Sequence, residues 1–137
     1  MKRITKLITF CTMLISFLII SNQPVKADGP DYDITSVHVK AKVQSNGSLQ
    51  MERRISYSFN GKAHGVFYSQ DLEDYQTLEQ PKVAIISKGK TQQIKKSKSN
   101  ANNTYELEHY SGGDYDFRIY HRIKDGSKLT VVYRYLN

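Results

Sequence analysis

The chain has 137 residues, a formal charge of +7, one cysteine (Cys11) and no tryptophan. Four of its twenty basic residues (Lys2, Arg3, Lys6 and Lys26) and none of its thirteen acidic ones fall in the first 27 positions. The remainder therefore holds sixteen basic residues against thirteen acidic ones, a charge of +3. That balance excludes a nucleic-acid reading built on the basic whole-chain pI, and a chain that loses Cys11 can form no disulfide.

The amino-terminal 27 residues read as a secretory signal. Lys2, Arg3 and Lys6 precede the uncharged run Leu7 to Ile20, and small or apolar residues flank Lys26 at Val25 and Ala27. This is the order of a basic n-region, an apolar h-region and a small-residue cleavage site. The apolar run is shorter than the roughly 17–25 residues a membrane span takes. Cleavage after Ala27 is expected, with an uncleaved anchor as the alternative. Apolar residues continue past Cys11, which argues against a lipid anchor there. Residues 28–137 then form one domain of about 110 residues, large enough for an ordinary core without staples. An exported chain without cysteine is at home among the exported proteins of Gram-positive bacteria.

Asp28 to Asp33 reads as a turn-rich lead-in. From Ile34 the pattern has period two, with Val37, Val39, Ala41 and Val43 apolar and His38, Lys40, Lys42 and Gln44 polar. That alternation predicts a strand with one buried and one wet face. Asn46-Gly47 supplies a hairpin turn, and the return strand aligns Leu49, Met51, Ile55, Tyr57 and Phe59. Arg53 interrupts this apolar face, and a bulge or a stem lying along the core edge would accommodate it. The loop Asn60 to Gly65 leads into a short strand at Val66-Phe67-Tyr68, and Ser69 to Gln80 reads as an acidic loop. Further strands are predicted at Lys82 to Ile86, Thr91 to Lys96, Tyr105 to His109, Tyr115 to Ile123 and Leu129 onward. Turns fall at Lys88-Gly89, Ser97 to Asn103, Ser111 to Asp114 and Lys124 to Ser127. Eight short strands with no amphipathic helix after the signal predict an all-β, antiparallel two-sheet β-sandwich, immunoglobulin-like in general architecture. The ten tyrosines and five phenylalanines suit half-buried sheet positions.

Chemistry is sparse. His38, His64, His109 and His121 sit beside no nucleophile motif of the kind acyl-transfer enzymes use, and His121 is expected as a structural histidine on the buried face. The carboxylates Asp28, Asp31 and Asp33, and the pair Asp114 and Asp116, lack a calcium-loop glycine and terminal glutamate. No cofactor and no metal is expected, and the chain reads as a non-enzyme. Between Gln80 and Tyr105 the chain carries Lys82, Lys88, Lys90, Lys95, Lys96 and Lys98 without an acidic residue. Outside a Gram-positive cell such a patch is drawn to teichoic acid and to anionic headgroups; its bland alternative is a set of lysines guarding an edge hairpin. Weaker wall binding at low salt after neutralising Lys95, Lys96 and Lys98 is the expected consequence.

The chain resembles a known family at Tyr32-Asp33-Ile34, Asn46-Gly47-Ser48-Leu49 with Met51, Ile55-x-Tyr57-x-Phe59-x-Gly61, His64-Gly65-Val66-Phe67 and Leu129-x-Val131-x-Tyr133. These pieces resemble the amino-terminal extracellular region of the predicted membrane proteins grouped as domain of unknown function 2207. Two departures stand out: Arg53 where the family tends to carry glutamate, and Ser69-Gln70-Asp71 after Phe67-Tyr68. Family members continue into a transmembrane helix, so the resemblance implies a short or truncated member, released or wall-associated. It implies fold and location and transfers no catalytic residue.

The reading that results is an exported, non-catalytic binding or structural ectodomain at the surface of a Gram-positive bacterium. Its partner is expected to be an anionic cell-wall polymer, a membrane surface or another protein. The candidate binding surface is Asn60, Lys62 and His64 with Lys88, Lys90, Lys95, Lys96 and Lys98. The alternatives are a truncated remnant with no independent activity, and a hydrolytic role through His64, Asp71, Glu73 and Asp74.

Overall fold

The computed structural model describes residues 31–137 other than Asp74. The signal assigned to residues 1–27 lies outside the described residues. The described chain is all-β: β1 (Asp31–Val43), β2 (Leu49–Asn60), β3 (Ala63–Asp71), β4 (Glu79–Ser87), β5 (Lys90–Lys96), β6 (Thr104–His109), β7 (Asp114–Ile123) and β8 (Lys128–Leu136). Every expected strand is present. β3 runs on to Asp71, three residues into the stretch expected as an acidic loop, because Ser69, Gln70 and Asp71 pair with Asp116, Tyr115 and Asp114.

The arrangement differs from two separate sheets. One eight-stranded sheet runs in the order β1-β2-β8-β4-β5-β6-β7-β3. Its neighbours are antiparallel except β5 and β6, which join in parallel through Lys95↔Thr104 and Lys96↔Tyr105. At that short seam the sheet curls over, so that β3 and β7 face β8 across a shared core. Tyr68 of β3 lies 4.7 Å from Tyr133 of β8, ring centre to ring centre, and Phe117 of β7 lies 5.1 Å from the same ring. Tyr105 ties the seam down by donating its hydroxyl to Pro81 O at 2.9 Å. Sequence alternation cannot distinguish one curled sheet from two stacked ones, because both bury every second residue.

The core follows the predicted faces: Ile55, Tyr57 and Phe59 of β2, Val83 and Ile85 of β4, Phe117 and Ile119 of β7, and Leu129, Val131 and Tyr133 of β8. Tyr133 is fully buried, and among the described residues its hydroxyl has no hydrogen-bond partner. Burial pushes the Tyr133 phenol well above its ordinary range. A buried donor left unpaired costs about 1–3 kcal/mol. Tyr133→Phe is therefore expected to be neutral or stabilising by up to about 1 kcal/mol in urea unfolding, and a clear loss of stability would mean that the hydroxyl is paired.

Arg53 lies on the core face as the interrupted alternation implied, and no bulge is needed. Its guanidinium donates to the Tyr68 hydroxyl and sits 5.3 Å from the centre of that ring. Tyr68 passes the hydrogen bond on to Gln70 Oε1 at 2.6 Å, which also accepts from the Tyr135 hydroxyl at 3.0 Å.

β1 departs most from expectation. Its apolar row was expected to be buried, yet Ile34, Val37, Val39 and Val43 are all at least half exposed. Among the described residues the strand pairs only with β2, and it lies at one edge of the open sheet with β3 at the other. The hairpin is correct and the burial is not.

Candidate functional site

Three connections meet at one end of the fold. The β2–β3 loop is fixed there by hydrogen bonds from Phe59 N to Ser127 O (3.0 Å) and from Gly126 N to Phe59 O (3.1 Å). Gly61, with a φ of 128° that only glycine adopts easily, donates its N–H to Asp125 Oδ1 at 2.8 Å. The β7–β8 turn (Lys124 to Ser127) is thus locked against the loop that carries Asn60 and Lys62. The β4–β5 connection is the two-residue turn Lys88-Gly89, with φ of 51° and 73°. Positive φ at both positions is the type I′ geometry that matches strand twist.

Strand order brings this turn to the same place, because β4 pairs with β8. A cleft of about 150 Å³ opens between them, walled by Lys88, His121, Arg122, Lys124 and Lys128 with Ser87, Ser127, Ile123 and Leu129. Among the described residues no carboxylate lines it. Asp125, in the β7–β8 turn, already accepts from Gly61. The arrangement concentrates positive charge in a concave site with hydroxyls at its wall, which suits a phosphate-bearing anion.

His121 is one of the residues of the cleft wall. Its Nδ1 lies 2.7 Å from Asn103 Oδ1, with the proton on the ring nitrogen, and Asn102 Oδ1 accepts from Arg122 N at 2.8 Å. The loop Ser97 to Asn103 is thereby fastened to β7, and His121 is the satisfied structural histidine expected. Burial lowers its pKa below 6.5. Unfolded His121 takes up a proton near 6.5, whereas the folded one does so only at lower pH. The stability it contributes is therefore complete above 6.5, falls as pH drops through that value and is gone below the folded pKa. Thermal melts between about pH 7.5 and 5 should show a steeper loss for the natural chain than for His121→Gln, which has no such proton to gain.

The structure divides the predicted surface. Asn60, Lys62 and Lys88 are exposed at the basic end, and His64 is exposed one residue beyond Ala63, which pairs with Ile123. Lys90 is exposed beside the Lys88-Gly89 turn, opposite Ser87. Lys95 and Lys96 instead lie at the β5–β6 seam, and Lys98 is exposed in the following loop. The lysine hairpin is thus not one patch. Sequence reading missed Arg122, Lys124 and Lys128, which are distant in sequence from Lys88. The strand order that unites them has no local signal.

His64 and Asp71 do not converge. They lie near opposite ends of β3, seven residues or roughly 23 Å apart. Among the described residues no group of three or more His, Cys, Asp or Glu side chains is placed to hold a metal, and no helix is long and apolar enough to cross a membrane.

An all-β module with a curled, open sheet and a basic cleft at one end is the class of protein that fold and site define. Residues 33–136 match the family described as "Predicted membrane protein (DUF2207) N-terminal domain". The chain belongs to that family. No curated protein matches it. It is similar to the group B streptococcus pilus 2b backbone protein, at 14% identity and a TM-score of 0.46, over 73% of this chain and 43% of that one.

Proposed function

We propose that the chain is a non-catalytic ectodomain of the Gram-positive cell envelope that holds an anionic wall polymer through its basic end. The observation that carries this is the convergence of Lys88, Arg122, Lys124 and Lys128 around a cleft that no carboxylate among the described residues lines. A polyanion of repeating phosphates would run along Lys62 and the β4–β5 turn, with successive charges meeting successive cations. Membership of a membrane-protein family supports extracellular placement, as does the signal expected from the sequence of residues 1–27. The exposed lysines Lys95, Lys96 and Lys98 lie outside the cleft and would add only diffuse attraction.

The test compares two triple variants for retention on purified Gram-positive walls at low salt. Lys88→Gln, Lys124→Gln and Lys128→Gln together should release the protein, and Lys95→Gln, Lys96→Gln and Lys98→Gln together should weaken retention far less. Equal losses would reduce the cleft to one part of a general positive field. No loss in the first triple variant would remove the cleft from the account.

A further inference from the structure

We infer that β1 is a self-association edge, through which two copies of this chain join their sheets in an antiparallel β1–β1 pair. This rests on observations independent of the basic cleft. Among the described residues β1 has a partner on one side only, and its apolar row is solvent-exposed although it lies on the core side of the sheet. An open edge with an apolar row is a template for a further strand. The residues of β1 specify which strand.

The pairing with β2 defines the faces. Tyr32, Ile34, Val37, Val39, Ala41 and Val43 lie opposite Phe59, Tyr57, Ile55, Arg53, Met51 and Leu49 on the core side. Asp31, Asp33, Ser36, His38, Lys40 and Lys42 lie on the other side, and the bulge between Ile34 and Ser36 absorbs Thr35. A second β1 laid antiparallel with a two-fold axis at Val37 keeps these faces only if both copies bulge at Thr35, as the structure has them. Ile34 then meets Val39 of the second copy, and Tyr32 meets Ala41. On the outer face Ser36 meets His38, Asp33 meets Lys40, and Asp31 meets Lys42. Each acid thus faces a base and each apolar residue faces another.

Those charges are uncommitted within one copy. Glu52, the residue opposite Lys40, is held by Arg134 at 2.6 Å and Arg54 at 2.8 Å. Among the described residues no ion pair involves Asp31, Asp33, Lys40 or Lys42. A bulge and two lysines ordinarily protect an edge from other strands. Here they repel a like-charged strand, yet they complement a second copy in this one register.

The test uses the full chain with Cys11→Ser and a single new cysteine. Val37→Cys lies on the two-fold axis, where directly opposite residues are about 4.5–5.5 Å apart, within disulfide reach. It should form disulfide-linked dimers under mild oxidation. Val43→Cys is at a more exposed position, but its two copies would lie roughly 40 Å apart, so it should stay monomeric. A charge swap provides the second arm. Lys40→Asp with Lys42→Asp makes β1 uniformly acidic, and Asp31→Lys with Asp33→Lys makes it uniformly basic. Each should weaken self-association by about tenfold or more, and mixing the two should restore a heterodimer. Circular dichroism reads folding separately. Equal cross-linking at 37 and 43, no dimer at all, or a mixture that stays monomeric would each overturn the inference.

Discussion

Gly65→Ala is expected to lose about 4 kcal/mol or more of stability, among the largest effects of any single substitution in this chain. A Cβ built on Gly65 would lie 1.8 Å from Ile119 O and 2.9 Å from its carbonyl carbon. These are backbone atoms of the neighbouring strand, so no side chain can swing aside. Gly65 pairs with Tyr120 just past the irregularity that follows Ala63, and there β3 presses into β7. Relief would need the two strands to separate, with loss of the pairing that carries Val66 and Tyr68 onto the core. For a domain of this size that loss corresponds to a fall of roughly 15–30 °C in Tm. A fall of only a few degrees in a thermal melt would mean that β3 is not held so closely.

The second large effect concerns binding. Replacing Lys88, Lys124 and Lys128 with glutamine removes three cations from the cleft. Each Lys or Arg near an anionic surface contributes on the order of 1 kcal/mol at moderate salt, so affinity for an isolated anionic wall polymer should fall about a hundredfold or more. The fold should be untouched, because all three side chains are exposed. Raising salt should weaken the natural chain more steeply than the variant, since it screens the charges the variant lacks. Isothermal titration at two salt concentrations reads both effects, and an unchanged affinity would remove the cleft from the binding account.

Most of the strand pattern was legible because alternation is a local property. Leu129, Val131, Tyr133 and Tyr135 lie on one face of β8 for the same reason that they alternate in sequence, and the Asn46-Gly47 and Asp125-Gly126 turns announce themselves by residue type. What escaped was non-local. Nothing between Lys90 and His109 signals that β5 and β6 run parallel over two residue pairs, yet that seam turns two sheets into one. The exposure of β1 was hidden because its sequence is that of a half-buried strand. The described sheet ends there, and among the described residues no strand lies opposite to cover Val37 and Val39. Of the site, Lys88 and Lys62 were legible as exposed cations near turns. Their meeting with Arg122, Lys124 and Lys128 depends on β4 lying beside β8, a pairing between segments some forty residues apart that no local pattern encodes.

The proposed hold on an anionic polymer through the basic end of the fold can be read by co-sedimentation with purified Gram-positive walls, before and after chemical removal of their anionic polymer. The natural chain should pellet with intact walls, release as salt is raised, and stay in solution once the polymer is stripped. Equal retention on stripped walls, or full retention of the Lys88, Lys124 and Lys128 triple variant on intact ones, would contradict the claim.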